Sequence, residues 1–320
     1  MKIGIYGTGV FALALSSIFV DNKCDVTMWT KFKEEKEELE KNHKSRNLPN
    51  YKITDKIKIT NSLKEVSKDK DLIVIALPVP FIESTLKESP TLLENKNILI
   101  ASKGITEDKL LVSELINKYI VGAKIAVIGG GTFAKDLPEK KPLAFTLATR
   151  DEDLKRICTL ALKNKYVKLE YTNDIEGIEF LSSIKNIYAI IGGLLDGLGT
   201  NESEESLFLT EALKDEREIL SYLGCNESDV LTYAGIGDLV LTCKSKTSRN
   251  YTFGYILGKD GIKNAKKYLK ENTVEGYATL NNISELILSK KLESNLIETL
   301  VNIVNEVCPK ENIIETLMTN

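Results

Sequence analysis

Histidine is almost missing from this chain. Among 320 residues there is one, His43, set in the charge-rich stretch Lys41-Asn42-His43-Lys44-Ser45-Arg46. A Ser-His-Asp triad, a Cys-His nucleophile pair or a multi-histidine metal site each needs imidazole at the chemistry, so a solvated His43 closes those classes and no metal is expected. Cysteine is sparse too: the five, at positions 24, 158, 225, 243 and 308, are odd in number, far apart and form no CxxC pair. That pattern argues against a disulfide framework and fits reduced thiols in a cytoplasmic protein. Basic charge is not in excess, with 43 Lys+Arg against 46 Asp+Glu and a net of −3. A nucleic-acid binder shows a basic surplus or stripe, so none is expected as a partner. Long apolar runs are lacking as well: stretches such as residues 72–80 fall far short of a bilayer span, and with Met1-Lys2-Ile3-Gly4-Ile5-Tyr6 already reading as a strand no cleavable leader is expected.

What is present is ordinary globular composition, 42% hydrophobic and 28% charged, in a chain long enough for two domains. In the first half, residues 2–6, 25–29, 72–77, 98–101, 124–128 and 167–171 read as strands. Residues 11–20, 32–41 and 107–119 read as helices between them. Apolar strands alternating with helices predict a parallel sheet covered on both faces. The Lys- and Glu-rich stretch 32–71 reads as surface helix and loop. Beyond Thr172 only helical patterns follow, at 173–198, 204–223, 251–257, 261–271, 278–289 and 294–307. The expected fold class is an α/β Rossmann-like N-terminal domain, doubly wound with a mainly parallel sheet, over residues 1–172. An all-α domain is expected over 173–320.

Gly7-Thr8-Gly9-Val10-Phe11-Ala12 lies between the first strand and the first helix, in the pattern G-x-G-x-x-[G/A]. The first glycine permits the tight turn and the second lets backbone approach a pyrophosphate. The small third residue lets helix pack on strand, and the helix N-terminus attracts phosphate charge. An NAD site commonly has an acidic residue after the second strand for the ribose 2′-hydroxyl. Here the chain reads Met28-Trp29-Thr30-Lys31. Lys31 either faces a 2′-phosphate, favouring NADP or dual use, or is a surface lysine; the spacing leaves both open.

Three further clusters place polar residues where packing alone does not require them. Lys185 sits in Leu181-Ser182-Ser183-Ile184-Lys185-Asn186-Ile187 on an otherwise apolar helix. Burial there disfavours its ammonium and poises it for proton transfer, whereas snorkelling to the surface is the bland alternative. Lys103 and Gly130–Thr132 follow two strands, at the end where doubly wound sheets bind ligands; a flexible turn explains the glycines equally well. Asp238, and then Ser248-Arg249-Asn250, offer a carboxylate, hydroxyl, guanidinium and amide suited to a phosphate ester. A helix cap by Ser248 fits the same spacing.

Taken together, these segments resemble the bacterial NAD(P)-dependent glycerol-3-phosphate dehydrogenases. The matching stretches run in family order over nearly the whole chain, and the run from Gly237-Asp238-Leu239 to Ser248-Arg249-Asn250 is the most specific. The resemblance implies Lys185 as proton acceptor. It implies Lys103, Gly130, Thr132, Asp238, Ser248, Arg249 and Asn250 as substrate-binding. Gly7, Gly9, Val10, Phe11, Lys31, Lys103, Ala134, Arg249 and Glu275 are then cofactor-binding. Val10, Ala12 and Gly131 depart from the family's usual Ser, Gly and Pro, and residues 201–205 are unusually acidic.

The activity so implied is reversible reduction of dihydroxyacetone phosphate to sn-glycerol 3-phosphate with dissociable NADH or NADPH, for glycerophospholipid synthesis. A cytoplasmic homodimer without membrane partners is the family expectation. Two rivals remain at this level: a lysine-dependent β-hydroxyacid dehydrogenase, whose substrate carries a carboxylate, and a non-catalytic NAD(P) sensor.

Overall fold

In the computed structural model of the chain, residues 1–45, 48, 51–289 and 294–319 are described. They divide into two compact units. The first comprises Met1–Lys103 and Leu110–Ile175, the second Gly104–Lys109 and Glu176–Asn320. The short excursion at Gly104–Lys109 is not contained in a single cut near residue 172.

The first unit is built on eight strands: β1 (Lys2–Tyr6), β2 (Asp25–Trp29), β3 (Ile57–Thr60), β4 (Leu72–Ile75), β5 (Asn97–Ile100), β6 (Lys124–Gly129), β7 (Leu143–Thr149) and β8 (Val167–Thr172). Their order is β3-β2-β1-β4-β5-β6-β7-β8. Pairing is parallel from β3 through β6, antiparallel between β6 and β7, and parallel between β7 and β8. Ile3 lies opposite Val26 on one side and Leu72 on the other. The order reverses at β1, so the β1 and β4 carboxyl ends flank the switch point where doubly wound sheets bind ligands. β4 is buried along its whole length, as its Leu-Ile-Val-Ile sequence requires of a strand covered on both faces.

Two strands escape the periodicity. β3 falls inside the Lys- and Glu-rich stretch read as helix and loop, because Lys58 interrupts Ile57 and Ile59 on an edge strand. β7 follows the charged run Lys140-Lys141 and is the antiparallel member. One helix is shorter than expected. Residues 107–111 are not helical, and α5 is Val112–Tyr119; Glu114 accepts a hydrogen bond from the Leu111 amide at 2.8 Å, fixing that start. The other helices here are α1 (Val10–Asp21), α2 (Lys33–Asn42), α3 (Leu63–Ser67), α4 (Val79–Glu88) and α6 (Glu152–Leu162). His43 ends α2 in a left-handed conformation, half exposed.

The second unit holds α7 (Ile175–Leu198), α8 (Glu202–Tyr222), α9 (Asp238–Cys243), α10 (Arg249–Asp260), α11 (Ile262–Tyr268), α12 (Glu275–Ser289), α13 (Asn295–Val304) and α14 (Asn312–Thr319). No strand occurs among its described residues. Residues 177–195 of α7 are all buried. By length and composition α7 is apolar enough to cross a membrane, with a window of mean hydropathy 1.3, but that window is entirely buried within the protein. Such all-round apolarity is what a central core helix needs. α10 lies directly against α7: a Cβ on Gly193, Gly254 or Gly258 would collide with backbone oxygens of the facing helix. Only glycine allows that approach.

Candidate active site

In the first unit, Gly7 has φ +118 and an added Cβ would lie 2.6 Å from the Ala76 carbonyl oxygen, so only glycine fits the turn. Gly9 has an ordinary φ of −62 with no atom within 4 Å of an added Cβ. Its smallness therefore serves open space rather than backbone strain. Gly9 begins α1 with no side-chain cap and no acidic residue in the first turn. The α1 amides thus keep their donors and dipole for an anion, which fits a pyrophosphate. Val10, Phe11 and Ala134 are partly buried and pack on the core of this unit.

Lys103 holds its ammonium 5.9 Å from the centre of the Phe11 ring, which brings it to the first turn of α1. Gly130 packs so tightly on β7 that a Cβ would lie 2.7 Å from the Ala144 oxygen. Next to it, the Thr132 hydroxyl is buried without a hydrogen-bond partner among the described residues. Lys31 is exposed and pairs with Glu88 at 3.5 Å.

In the second unit, Lys185 is buried at 7% exposure. Its Nζ donates to Asp238 Oδ1 at 2.5 Å and to Thr242 Oγ1 at 2.9 Å. Asp238 and Thr242 stand four residues apart on one face of α9, and the Thr242 hydroxyl donates to the Asp238 carbonyl at 2.7 Å. A wide π-helical turn at Tyr233–Gly237, kinked at Gly235 (φ −83, ψ −111), leads into α9. Removing an ammonium and a carboxylate from water costs several kcal/mol per ion, and an apolar pair would pack as well. Stability alone does not account for this cluster.

Ser248-Arg249-Asn250 opens α10, and its three side chains divide the work. Ser248 caps the helix, accepting from the Tyr251 amide at 3.4 Å. Asn250 is buried, donating to Asn186 Oδ1 at 3.0 Å and accepting from the Gly276 amide at 2.8 Å. It ties α7 and α10 to the start of α12. Asn186 in turn donates to the exposed Glu275 at 3.4 Å. Arg249 is exposed and makes no ion pair among the described residues, so its guanidinium is available to a ligand.

Sequence reasoning assigned no role to Thr242, although its i,i+4 spacing from Asp238 is visible. It also missed Glu216, a buried carboxyl on α8 with 1% exposure and no partner on either oxygen among the described residues. Burial, with Asp215 and Asp238 nearby, pushes Glu216 well above the usual carboxylate range, and Lys185 opposes this. Asp215 is raised to about 6 by burial, against hydrogen bonds from the Ser294 and Tyr188 hydroxyls.

Two family models match the chain: NAD-dependent glycerol-3-phosphate dehydrogenase N-terminus over residues 2–155, and the corresponding C-terminus over 174–315. A glycerol-3-phosphate dehydrogenase (NAD(P)+) of Leptospira biflexa is 31% identical across 100% of this chain and 98% of its own length. One from Staphylococcus epidermidis is also 31% identical, over 99% of this chain and 97% of its own. The crystal structure of glycerol-3-phosphate dehydrogenase from Coxiella burnetii superposes with a TM-score of 0.92 at 25% identity, covering 100% of this chain and 99% of that one. With a glycine turn before an uncapped helix in its first unit, a buried Lys185–Asp238 pair in its second and this full-length similarity, the chain belongs to the NAD(P)-dependent glycerol-3-phosphate dehydrogenases.

Proposed function

We propose that the chain catalyses NAD(P)H-dependent reduction of dihydroxyacetone phosphate to sn-glycerol 3-phosphate, with Lys185 as the proton carrier. The observation that carries this reading is the buried Lys185 ammonium held by Asp238 and Thr242. In the first unit, Gly7, Gly9 and the uncapped N-terminus of α1 hold the pyrophosphate, with Val10, Phe11, Lys31, Lys103 and Ala134 on the rest of the dinucleotide. The dihydronicotinamide, when bound, supplies the hydride.

The residues of the second unit do the acid–base work. Lys185 gives a proton to the carbonyl oxygen as charge develops there, and takes it back from the hydroxyl in the reverse direction. Asp238 and Thr242 fix the direction of its N–H bonds and stabilise the ammonium against burial. Arg249 clamps the phosphate with paired N–H donors, which lets remote binding energy orient the reacting carbon. Ser248 and Asn250 hold Arg249 in place through the helix cap and the Asn186–Gly276 link. The family resemblance assigns Lys103, Gly130 and Thr132 to the substrate, and Glu275 and Arg249 to the dinucleotide. The enzyme works as a cytoplasmic homodimer and supplies glycerophospholipid synthesis.

The test is oxidation of NADH and of NADPH, each followed with dihydroxyacetone phosphate and with 3-oxo acids. Turnover confined to the phosphate ester supports the reading. Equal or better turnover on the acids, or none with either dinucleotide and folded protein, overturns it.

A further inference from the structure

Glu216 has no role in the scheme above, yet it lies close enough to Lys185 and Asp238 to feel both charges. It lies at 1% exposure on α8, with neither carboxyl oxygen bonded to any described residue. Titratable groups surround it from three helices: Lys185 and Tyr188 on α7, its neighbour Asp215 on α8, and Asp238 and Cys243 on α9. Only Lys185 among these is cationic, and Asp238 already holds it at 2.5 Å. A lone buried carboxylate is very costly, so the group is held as the neutral acid while Asp238 carries the one negative charge beside Lys185.

We infer that Glu216 is a positioning residue for the reaction, a buried acid whose protonation is coupled to that of Lys185. This rests on Lys185 being the proton carrier. The physical basis is reciprocity: a positive Lys185 favours ionised Glu216, so an ionised Glu216 favours a positive Lys185. As pH rises, the cluster loses one proton shared between two sites. Ionisation of Glu216 leaves Lys185 protonated, and the active ammonium survives to higher pH than Asp238 alone would sustain. At neutral pH the acid is uncharged and leaves the lysine free to release its proton to the substrate.

The experiment uses Glu216→Gln, which keeps shape and removes the ionisation, alongside wild type and Lys185→Met. Two readouts are taken: the pH profile of kcat for dihydroxyacetone phosphate reduction, and infrared difference spectra across the same pH range without substrate. Glu216→Gln moves the alkaline limb of the profile toward acid by about one pH unit. It also abolishes a protonated-carboxyl band that wild type shows at neutral pH and loses at alkaline pH. A Gln variant whose alkaline limb superimposes on that of wild type overturns the coupling, as does a uniform loss of kcat at every pH, which marks a packing role. A wild-type spectrum without the neutral-acid band overturns the protonation state. Lys185→Met separates the premise: if it retains wild-type turnover, the proton-carrier reading fails, while the infrared band still reports on Glu216.

Discussion

At the residue scale, the Lys185–Asp238 pair makes activity and stability separable. Lys185→Ala removes the proposed proton carrier and strands a buried carboxylate, so two effects arrive together. The stranded charge costs about 3–5 kcal/mol, enough to confuse a loss of turnover with a loss of fold. Lys185→Met with Asp238→Asn removes both charges and restores thermal stability to near wild type, while kcat stays down by about 10²–10⁴-fold, the usual weight of a positioned acid. Recovery of both together would show the pair to be structural. Arg249 gives the converse case, because it is exposed and its loss leaves no buried group unpaired. Arg249→Ala raises KM for dihydroxyacetone phosphate by about 10–100-fold, with the melting temperature little changed. Steady-state kinetics against both substrates decide it; a KM rise for NADH alone would move Arg249 to the dinucleotide.

Helices set the distances between these side chains. α7 carries Lys185 and Asn186, α10 begins at Arg249, and their glycine-lined contact fixes how far apart they stand. Gly254→Ala puts a methyl group against the Ile190 carbonyl, and backbone must yield. A destabilisation of about 1–3 kcal/mol follows, and kcat/KM falls as well, because a 1 Å displacement in a reacting constellation costs about 10²-fold. Differential scanning calorimetry with kinetics on the same sample tests this; stability lost without activity would mean α10 repacks without moving its N-terminus.

Elements differ in how plainly the sequence announces them. α7 is legible because polar residues interrupt an apolar helix at Ser182, Lys185 and Asn186, and each is buried. On α8 the stripe Phe208, Ala212, Glu216, Ile219 and Leu220 is buried at helical spacing. Glu216 is visible there only as a mismatch, since a carboxyl in an acidic amphipathic helix reads as solvent-facing until the fold turns it inward. The Ser248 cap was open in the sequence as one of two readings, and the structure shows it. The role of Asn250 was hidden, because its partners are Asn186 and the Gly276 amide, and a backbone donor leaves no trace in residue identity.

On the scale of the whole molecule, the parallel sheet and the helical second unit follow from hydrophobic period. β3 and β7 do not, because edge position and antiparallel pairing are properties of the assembled sheet. Stability against pH is likewise a property of the whole, set by which charges folding buries. Asp215 is largely buried, and burial raises it from 3.8 to about 6. In the unfolded chain it ionises near 3.8, so between that value and about 6 the native state binds more protons. Stability is therefore fully present below the unfolded value and declines as pH rises through this window, by about 3 kcal/mol in all. Asp215→Asn keeps an oxygen for the Ser294 and Tyr188 hydroxyls and removes the ionisation. Relative to wild type, the variant gains stability steadily between pH 4 and pH 6, then holds a constant advantage at higher pH. Urea unfolding of both proteins across that range reads the difference directly. A gap that does not change with pH would show that Asp215 titrates in the folded protein as it does in the open chain, and that the hydroxyls of Tyr188 and Ser294 fully offset its burial.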